Sequence, residues 1–316
     1  MSQKPSVTVE DFFKDNESAL DLKLIGGDAG LKKIIKEPTV NRPGLALAGH
    51  TKYFAFRRVQ VLGNAESSYL KTLKPAERAA RYELLFSHQI PCVVISRNQR
   101  PDRLLLREAE KRKVPVFRSS LITMNFINLA TLALEVLFAP RGSELGSMVD
   151  IHGIGVLVRG VTGIGKSECI LSLIERGYSL ISDDVTKVLL LDNREIVGSS
   201  PDLTRNFMEV RGIGIVNVNA LFGARCVRRS KRLDLVITLK HWKEVDDVDR
   251  LGMDEEHVEI LGIDVPHITL PVRPGRDLSR LVEVAALQAR LKHYGYNPAE
   301  DLNDQLKARM AGPEGR

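Results

Sequence analysis

Apolar positions along this chain follow two different spacings, and the switches between them outline its elements. Val7 to Phe13 has helical spacing, with Thr8 placed to cap it and Asp11 in the first turn. Leu22 to Ile25 is a short apolar run ending at Gly26-Gly27, which predicts a strand. Ala76 to Leu85 follows Pro75 and returns to helical spacing. Pro91 to Ser96 is an unbroken apolar run of strand length, followed by polar residues from Arg97 to Asp102. Leu104 to Lys113 predicts a charged helix and Val114 to Phe117 another strand. Strand, helix and strand in this order are the parts of a βαβ unit. A long helix is expected over Ser119 to Ala139, stopped by Pro140-Arg141-Gly142. A domain boundary is expected inside that helix, near residue 132. This divides the chain into an N-terminal α/β domain (1–132), for which no catalytic constellation is found, and a second domain (133–316).

The second half opens on an apolar strand, Ile154 to Val158, and runs through Arg159 into Gly160-Val161-Thr162-Gly163-Ile164-Gly165-Lys166-Ser167. Apolar residues at 170, 171, 173 and 174 then predict a helix that stops at Gly177. The order strand, G-x-x-x-x-G-K-S, helix is the context in which a glycine-rich loop holds phosphate. Gly160, Gly163 and Gly165 let the backbone turn its N–H groups toward phosphate oxygens, and the helix start adds partial positive charge. Lys166 can reach the β- and γ-phosphates, and the Ser167 hydroxyl can ligate Mg²⁺. ATP and Mg²⁺ are therefore the expected cofactors. A short strand, Tyr178 to Ser182, ends in Asp183 and Asp184. Acids at the carboxyl end of a strand beside a phosphate loop can hold the metal or accept a proton from a hydroxyl nucleophile; which of the two does which stays open at this level.

Composition narrows the class. The chain has 316 residues, about two domains' worth, and is 43% hydrophobic and 27% charged, an ordinary globular balance. A net charge of +6 and a pI near 9.2 suit a phosphate ligand or an acidic partner. No helix-turn-helix or zinc-finger pattern accompanies that charge, so nucleic acid is not expected as a partner. The basic cluster Arg225, Arg228, Arg229, Lys231 and Arg232 reads either as a contact for an acidic protein or as a solvated strand edge. Cys92, Cys169 and Cys226 are far apart and show neither disulfide nor zinc spacing, and His50 and His88 are isolated. The N-terminus is polar, and the apolar run Leu129 to Leu137 is short and broken by Thr131 and Glu135. A soluble, cytoplasmic protein is expected, with no membrane partner.

Three further stretches give the chain its resemblance. Met208-Glu209-Val210-Arg211-Gly212-Ile213-Gly214 leads into an apolar strand, Asp249-Arg250-Leu251-Gly252 follows a tryptophan-containing segment, and Pro271-Val272-Arg273-Pro274-Gly275-Arg276 is a turn with two arginines. With the phosphate loop and the acid pair, this order resembles the HPr kinase/phosphorylase family. The resemblance covers nearly the whole chain, its specific motifs lying in residues 145–276. It implies a C-terminal P-loop kinase core related to phosphoenolpyruvate carboxykinase, assembled as a homohexamer. It also implies a serine kinase acting on HPr, the phosphocarrier of the sugar phosphotransferase system, that removes the same phosphate with inorganic phosphate and releases pyrophosphate. By that resemblance Lys166, Asp183, Asp184 and Arg250 are catalytic and Ser167 and Glu209 contact Mg²⁺. Glu209, Arg211, Gly212 and Gly214 form a signature segment, and residues 271–276 serve dephosphorylation.

Two positions depart from the family pattern. Leu145 stands where the family carries a histidine, and Val161-Thr162 where it often has Asp-Ser. Leucine can neither relay a proton nor bind phosphate, so the reverse reaction is the activity put in question. His152 could substitute, or serve as a packing and hydrogen-bonding residue beside the sheet. The alternatives are a P-loop kinase or ATPase with another substrate, and a nucleotide-sensing regulator with weakened catalysis.

Overall fold

The computed structural model describes residues 6–245 and 256–310, in two compact units that divide between Ala139 and Pro140. The expected boundary near 132 falls within the helix Thr123–Phe138, whose Phe126, Ala130 and Leu134 are buried in the N-terminal core. The segment 249–252, with Arg250, lies outside the described residues.

The N-terminal unit is built on a five-stranded sheet in the order Lys23–Gly26, Val116–Arg118, Val93–Ile95, Val59–Leu62, Val40–Asn41. The last four are mutually parallel and the first is antiparallel to its neighbour. The central strands are buried on both faces, which is why they read as continuous apolar runs rather than alternating ones. Val59, Val61, Val94 and Phe117 face one core with Phe12 and the helix Thr123–Phe138. Leu62, Val93, Ile95 and Val116 face a second core with Leu85, Phe86 and Leu105. The first helix, Val9–Asn16, begins as its sequence signals require. Thr8 Oγ1 accepts from the Asp11 N–H at 3.1 Å, and Asp11 Oδ2 accepts from the Thr8 N–H at 3.0 Å, a reciprocal cap.

In the C-terminal unit a six-stranded sheet runs Ser179–Ser182, Ser147–Ile151, Ile154–Gly160, Leu235–His241, Ile263–Val272, Glu256–Ile260. Ile154–Gly160, Leu235–His241 and Ile263–Val272 are parallel neighbours, so their carboxyl ends open on the same edge. Val156, Val158, Leu235 and Ile237 face the helices Lys166–Glu175 and Leu278–His293 through Ile170, Leu173, Val282 and Ala286. The opposite face, with Met148, Leu157 and Val236, packs on Val188, Leu190 and Ile196. Those residues belong to a four-stranded antiparallel sheet ordered Ser230–Arg232, Glu195–Ser199, Val185–Leu191, Arg141–Leu145. This second sheet was not anticipated, although Val185–Leu191 carries a readable alternation of buried and outward positions. The fold is α/β in both units, as expected.

Most of the basic cluster is engaged within the chain. Arg228 and Lys231 converge on the buried Asp150, at 3.1 and 3.8 Å, and Arg232 pairs with Asp234 at 2.5 Å and Glu195 at 3.6 Å. The three cysteines are free and buried, and burial pushes the Cys169 thiol up to about 12, which keeps that thiol from being a ready nucleophile. Among the described residues no helix is long and apolar enough to cross a membrane.

Candidate active site

The site lies at the carboxyl edge of the six-stranded sheet, and the central parallel strand delivers the chain to it. Ile154–Gly160 is buried along five residues and half-buried at its last two, where the loop begins. Gly160 is needed for space: a Cβ there would stand 2.9 Å from Ile164 Cγ2 and 3.1 Å from the Leu239 carbonyl oxygen. Ile164 turns inward and is buried in the core, anchoring the middle of a loop whose Val161, Thr162 and Gly163 are exposed. Gly163 and Gly165 have φ of +86° and +101°, a region side chains disfavour, and Gly165 caps the helix Lys166–Glu175. The result is an exposed backbone cradle with a helix N-terminus behind it, and Ser167 in that helix's first turn.

The Lys166 ammonium stands 3.4 Å from the Gly160 carbonyl oxygen and 3.7 Å from Asp184 Oδ1. Strand Ser179–Ser182 and the turn after it therefore bring the acid pair to the phosphate loop, as the sequence suggested. The two acids differ sharply. Asp183 is largely enclosed: Oδ1 accepts from the Ser147 hydroxyl at 2.7 Å and Oδ2 from the Glu209 backbone N–H at 3.1 Å. Burial raises its pKa above the ordinary value of 3.8, against the opposing pull of those hydrogen bonds, and the neighbouring Asp184 charge raises it further. Asp184 is open, its side chain 59% exposed. Its backbone is left-handed, φ +55°, a conformation aspartate tolerates better than most residues. It is pinned on both sides, its carbonyl accepting from the Gly146 N–H at 2.8 Å and its N–H donating to Ser147 Oγ at 3.3 Å.

The signature segment forms a hairpin, Phe207–Val210 against Gly214–Asn217. Met208 and Val210 are buried, so Glu209 between them projects outward with an exposed carboxylate. Gly212 and Gly214 take φ of +88° and +103° to close the turn. Arg211 reaches the phosphate loop: a side chain built on Gly163 would begin 3.3 Å from Arg211 Nη1. The strands carrying the 271–276 turn and Trp242 end on the same edge, Leu239 pairing beside Gly160, and Lys240 and His241 beside Pro271 and Val272. There the Arg273 guanidinium stacks 3.1 Å from the centre of the Trp242 ring, with Pro274, Gly275 and Arg276 completing the turn.

Leu145 lies within this constellation. It ends strand Arg141–Leu145, pairs with Val185 immediately after Asp184, and is 78% exposed. His152 does not. It sits in the turn between Ile151 and Ile154, at the amino end of the strand whose carboxyl end makes the loop. The strand between spans roughly 20 Å at about 3.3 Å per residue. There His152 Nε2 hydrogen-bonds the Tyr178 hydroxyl at 2.8 Å, with the rings edge to face. Of the two readings open for His152, this one is the packing and hydrogen-bonding role. Ser147 and Trp242 were not singled out from sequence; only the fold reveals that a buried serine two residues after Leu145 faces an acid from another strand.

Among the described residues no three histidine, cysteine or carboxylate groups converge as a closed metal cage. An open arrangement of hydroxyl and carboxylate oxygens is instead what Mg²⁺ uses when phosphate supplies its other ligands.

Two family models match the chain: the HPr serine kinase N terminus over residues 7–134, and the HPr serine kinase C-terminal domain over residues 137–306. A protein of Caldicellulosiruptor bescii named HPr kinase/phosphorylase is 42% identical over 298 residues, covering 94% of this chain and 96% of the relative. One of the same name from Listeria monocytogenes serotype 4a is 42% identical over 301 residues, covering 95% of each. Among solved structures, that of an Hpr(Ser) kinase/phosphatase from Coxiella burnetii shares 34% identity, covering 51% of this chain and 98% of that one, with a TM-score of 0.47.

Proposed function

The chain belongs to the HPr kinase/phosphorylase family and is a phosphotransferase, and on that premise we propose that it moves the γ-phosphoryl group of ATP onto a seryl hydroxyl of HPr. In the opposite direction inorganic phosphate takes the group from seryl phosphate, releasing pyrophosphate. The observation that carries this reading is the meeting of Lys166 and Asp184, 3.7 Å apart, at the mouth of a glycine-rich cradle. A cation that can hold phosphate and a carboxylate that can accept a proton then stand side by side.

The residues suit ATP and Mg²⁺. The backbone of the loop from Gly160 to Gly165, exposed at Val161, Thr162 and Gly163, and the Lys166 ammonium would hold the β- and γ-phosphates. The Ser167 hydroxyl and the Glu209 carboxylate would hold Mg²⁺, whose contribution when bound is to neutralise charge on the phosphate oxygens. Asp184 is the proton acceptor in this reading. It is the acid an incoming protein serine can reach, whereas both oxygens of Asp183 are already hydrogen-bonded within the fold. Burial raises the Asp183 pKa, but a base must first reach the proton it removes. Asp183 then positions its neighbour. The seryl oxygen bonds phosphorus as the bridging P–O bond breaks; the electron pair leaves on ADP and the proton goes to Asp184. In reverse, Asp184 returns a proton to the departing seryl oxygen. Arg211 beside the loop, together with Arg250, would spread charge on the transferring group. The turn 271–276 would receive the incoming phosphate. A homohexamer in the cytoplasm and a regulatory role in carbon metabolism complete the proposal.

The test is incubation of the purified chain with ATP, Mg²⁺ and HPr, following seryl phosphate by intact mass, then removal of ATP and addition of phosphate. Phosphorylation that Lys166→Ala abolishes without unfolding the protein is the expected result. Nucleotide binding without turnover would sink the kinase reading and favour the sensor.

A further inference from the structure

The N-terminal unit carries a cleft with no role in the chemistry above. It measures about 730 Å³ and opens at the carboxyl ends of the parallel strands Val59–Leu62 and Val93–Ile95. That size is typical of a small-molecule site. Its floor is apolar, from Leu62, Leu70, Ile95 and Leu105, with the buried Tyr82 beside them. Its polar rim is organised. The Gln99 side-chain oxygen accepts from the Ser67 hydroxyl at 2.5 Å, and its nitrogen donates to Asn64 Oδ1 at 2.5 Å. This ties the loop after one strand to the helix after the other.

Two further observations point to a ligand. First, the loop that delivers Gln99 and Arg100 is bent through two consecutive left-handed residues, Arg97 (φ +60°) and Asn98 (φ +52°). Their N–H groups are fixed to the carbonyls of Leu121 and Ser119, each at 2.8 Å. Asparagine accepts that conformation readily; arginine does not, and such conformations concentrate at ligand clamps. Second, the charges do not balance. Lys71, Arg78 and Arg100 line the cleft against one carboxylate, Asp102. Asp102 is already engaged: it caps the helix Arg103–Lys111 through the Leu104 N–H at 2.9 Å and meets Tyr82 Oη at 3.2 Å and Arg78 Nε at 2.8 Å. Among the described residues, Lys71 and Arg100 have no acidic partner. The excess of two positive charges matches a phosphomonoester, which carries about −1.5 to −2 near pH 7.

We propose that this cleft binds a small phosphomonoester, with its phosphate held by Lys71, Arg78 and Arg100 and its organic body on the apolar floor beside Tyr82. Arginine forks suit phosphate oxygens, and the floor distinguishes an ester from the bare ion. The site is built from residues of the N-terminal unit alone and does not depend on the kinase reading.

Equilibrium dialysis of the full chain against AMP, glucose 6-phosphate and inorganic phosphate tests it, using the wild type, a Lys71→Ala/Arg100→Ala variant and Lys166→Ala. Both residues of the double variant are exposed, so folding is not at stake. At least one ester should bind at one site per chain, more tightly than inorganic phosphate. The double variant should lose about tenfold or more in affinity, as expected for lost charged hydrogen bonds. Lys166→Ala should retain that binding, and the double variant should keep its ATP-dependent transfer. The proposal is overturned if neither ester binds at millimolar concentration, if the double variant binds as well as the wild type, or if Lys166→Ala abolishes the binding. Equal binding of inorganic phosphate would likewise overturn the ester assignment.

Discussion

The buried Ser147 hydroxyl donates to Asp183 Oδ1 at 2.7 Å and accepts from the Asp184 backbone N–H at 3.3 Å, so one side chain sets both members of the acid pair. Asp183 in turn accepts from Glu209, tying the pair to the signature hairpin. Asp184→Asn should lower phosphoryl transfer by roughly 10²–10⁴-fold, the range for loss of a general base. Ser147→Ala should lower kcat by about tenfold or more through misplacement, with ATP affinity nearly unchanged. Steady-state kinetics with HPr as acceptor measure both. If Asp183→Asn proved far more damaging to kcat than Asp184→Asn, the two roles would have to be exchanged.

Asp183 also gives the fold a pH dependence. Burial raises its pKa in the folded state, so folding favours the protonated acid. Its contribution is therefore fully present below the unfolded value of 3.8 and is lost as pH rises through the raised folded value. The amide introduced by Asp183→Asn does not titrate. The stability of wild type relative to that variant should fall as pH rises from the acid range toward neutrality, read from denaturant melts of both proteins. A difference that is flat or grows with pH contradicts the burial of this carboxyl.

Trp242 is the chain's one tryptophan, and Arg273 lies 3.1 Å over its ring. A cation at that distance perturbs the indole, so the turn 271–276, proposed to receive the incoming phosphate, has its own optical reporter. Inorganic phosphate drawn to Arg273 should change the Trp242 emission in a saturable way, and Arg273→Ala should both shift the resting emission and remove the response. Emission indifferent to phosphate in the wild type would argue against the turn as the phosphate's receiving site.

Leu145→His restores a titratable ring at an exposed position one strand from Asp184. Because the side chain is solvent-facing, the change should cost little stability, within about 0.5 kcal/mol. Phosphorolysis of seryl-phosphorylated HPr, measured as pyrophosphate release, should rise relative to the kinase rate. An unchanged ratio would mean that Leu145 does not limit the reverse reaction. His152 is no substitute at this distance, and His152→Ala should leave the ratio unaltered.

Local signals were legible in the sequence wherever the cause is local. The Thr8 cap, the strand–loop–helix around Lys166, the βαβ unit ending at Val116–Arg118 and the long helix Thr123–Phe138 follow from hydrophobic period, capping and glycine chemistry within short windows. The acid pair could be placed beside the phosphate loop because a motif order carried it. What the sequence could not determine is set by contacts between distant strands. The second sheet, the division between units after Ala139, the exclusion of His152 and the engagement of Arg228 and Lys231 by Asp150 all depend on which strands lie side by side. The same holds for the unequal fates of Asp183 and Asp184. Two adjacent, chemically identical residues acquire different exposure because Ser147 and Glu209, from two other strands, enclose one and leave the other in solvent, and burial raises the pKa of the enclosed Asp183. Residue type supplies the carboxylates; tertiary packing decides what each is able to do.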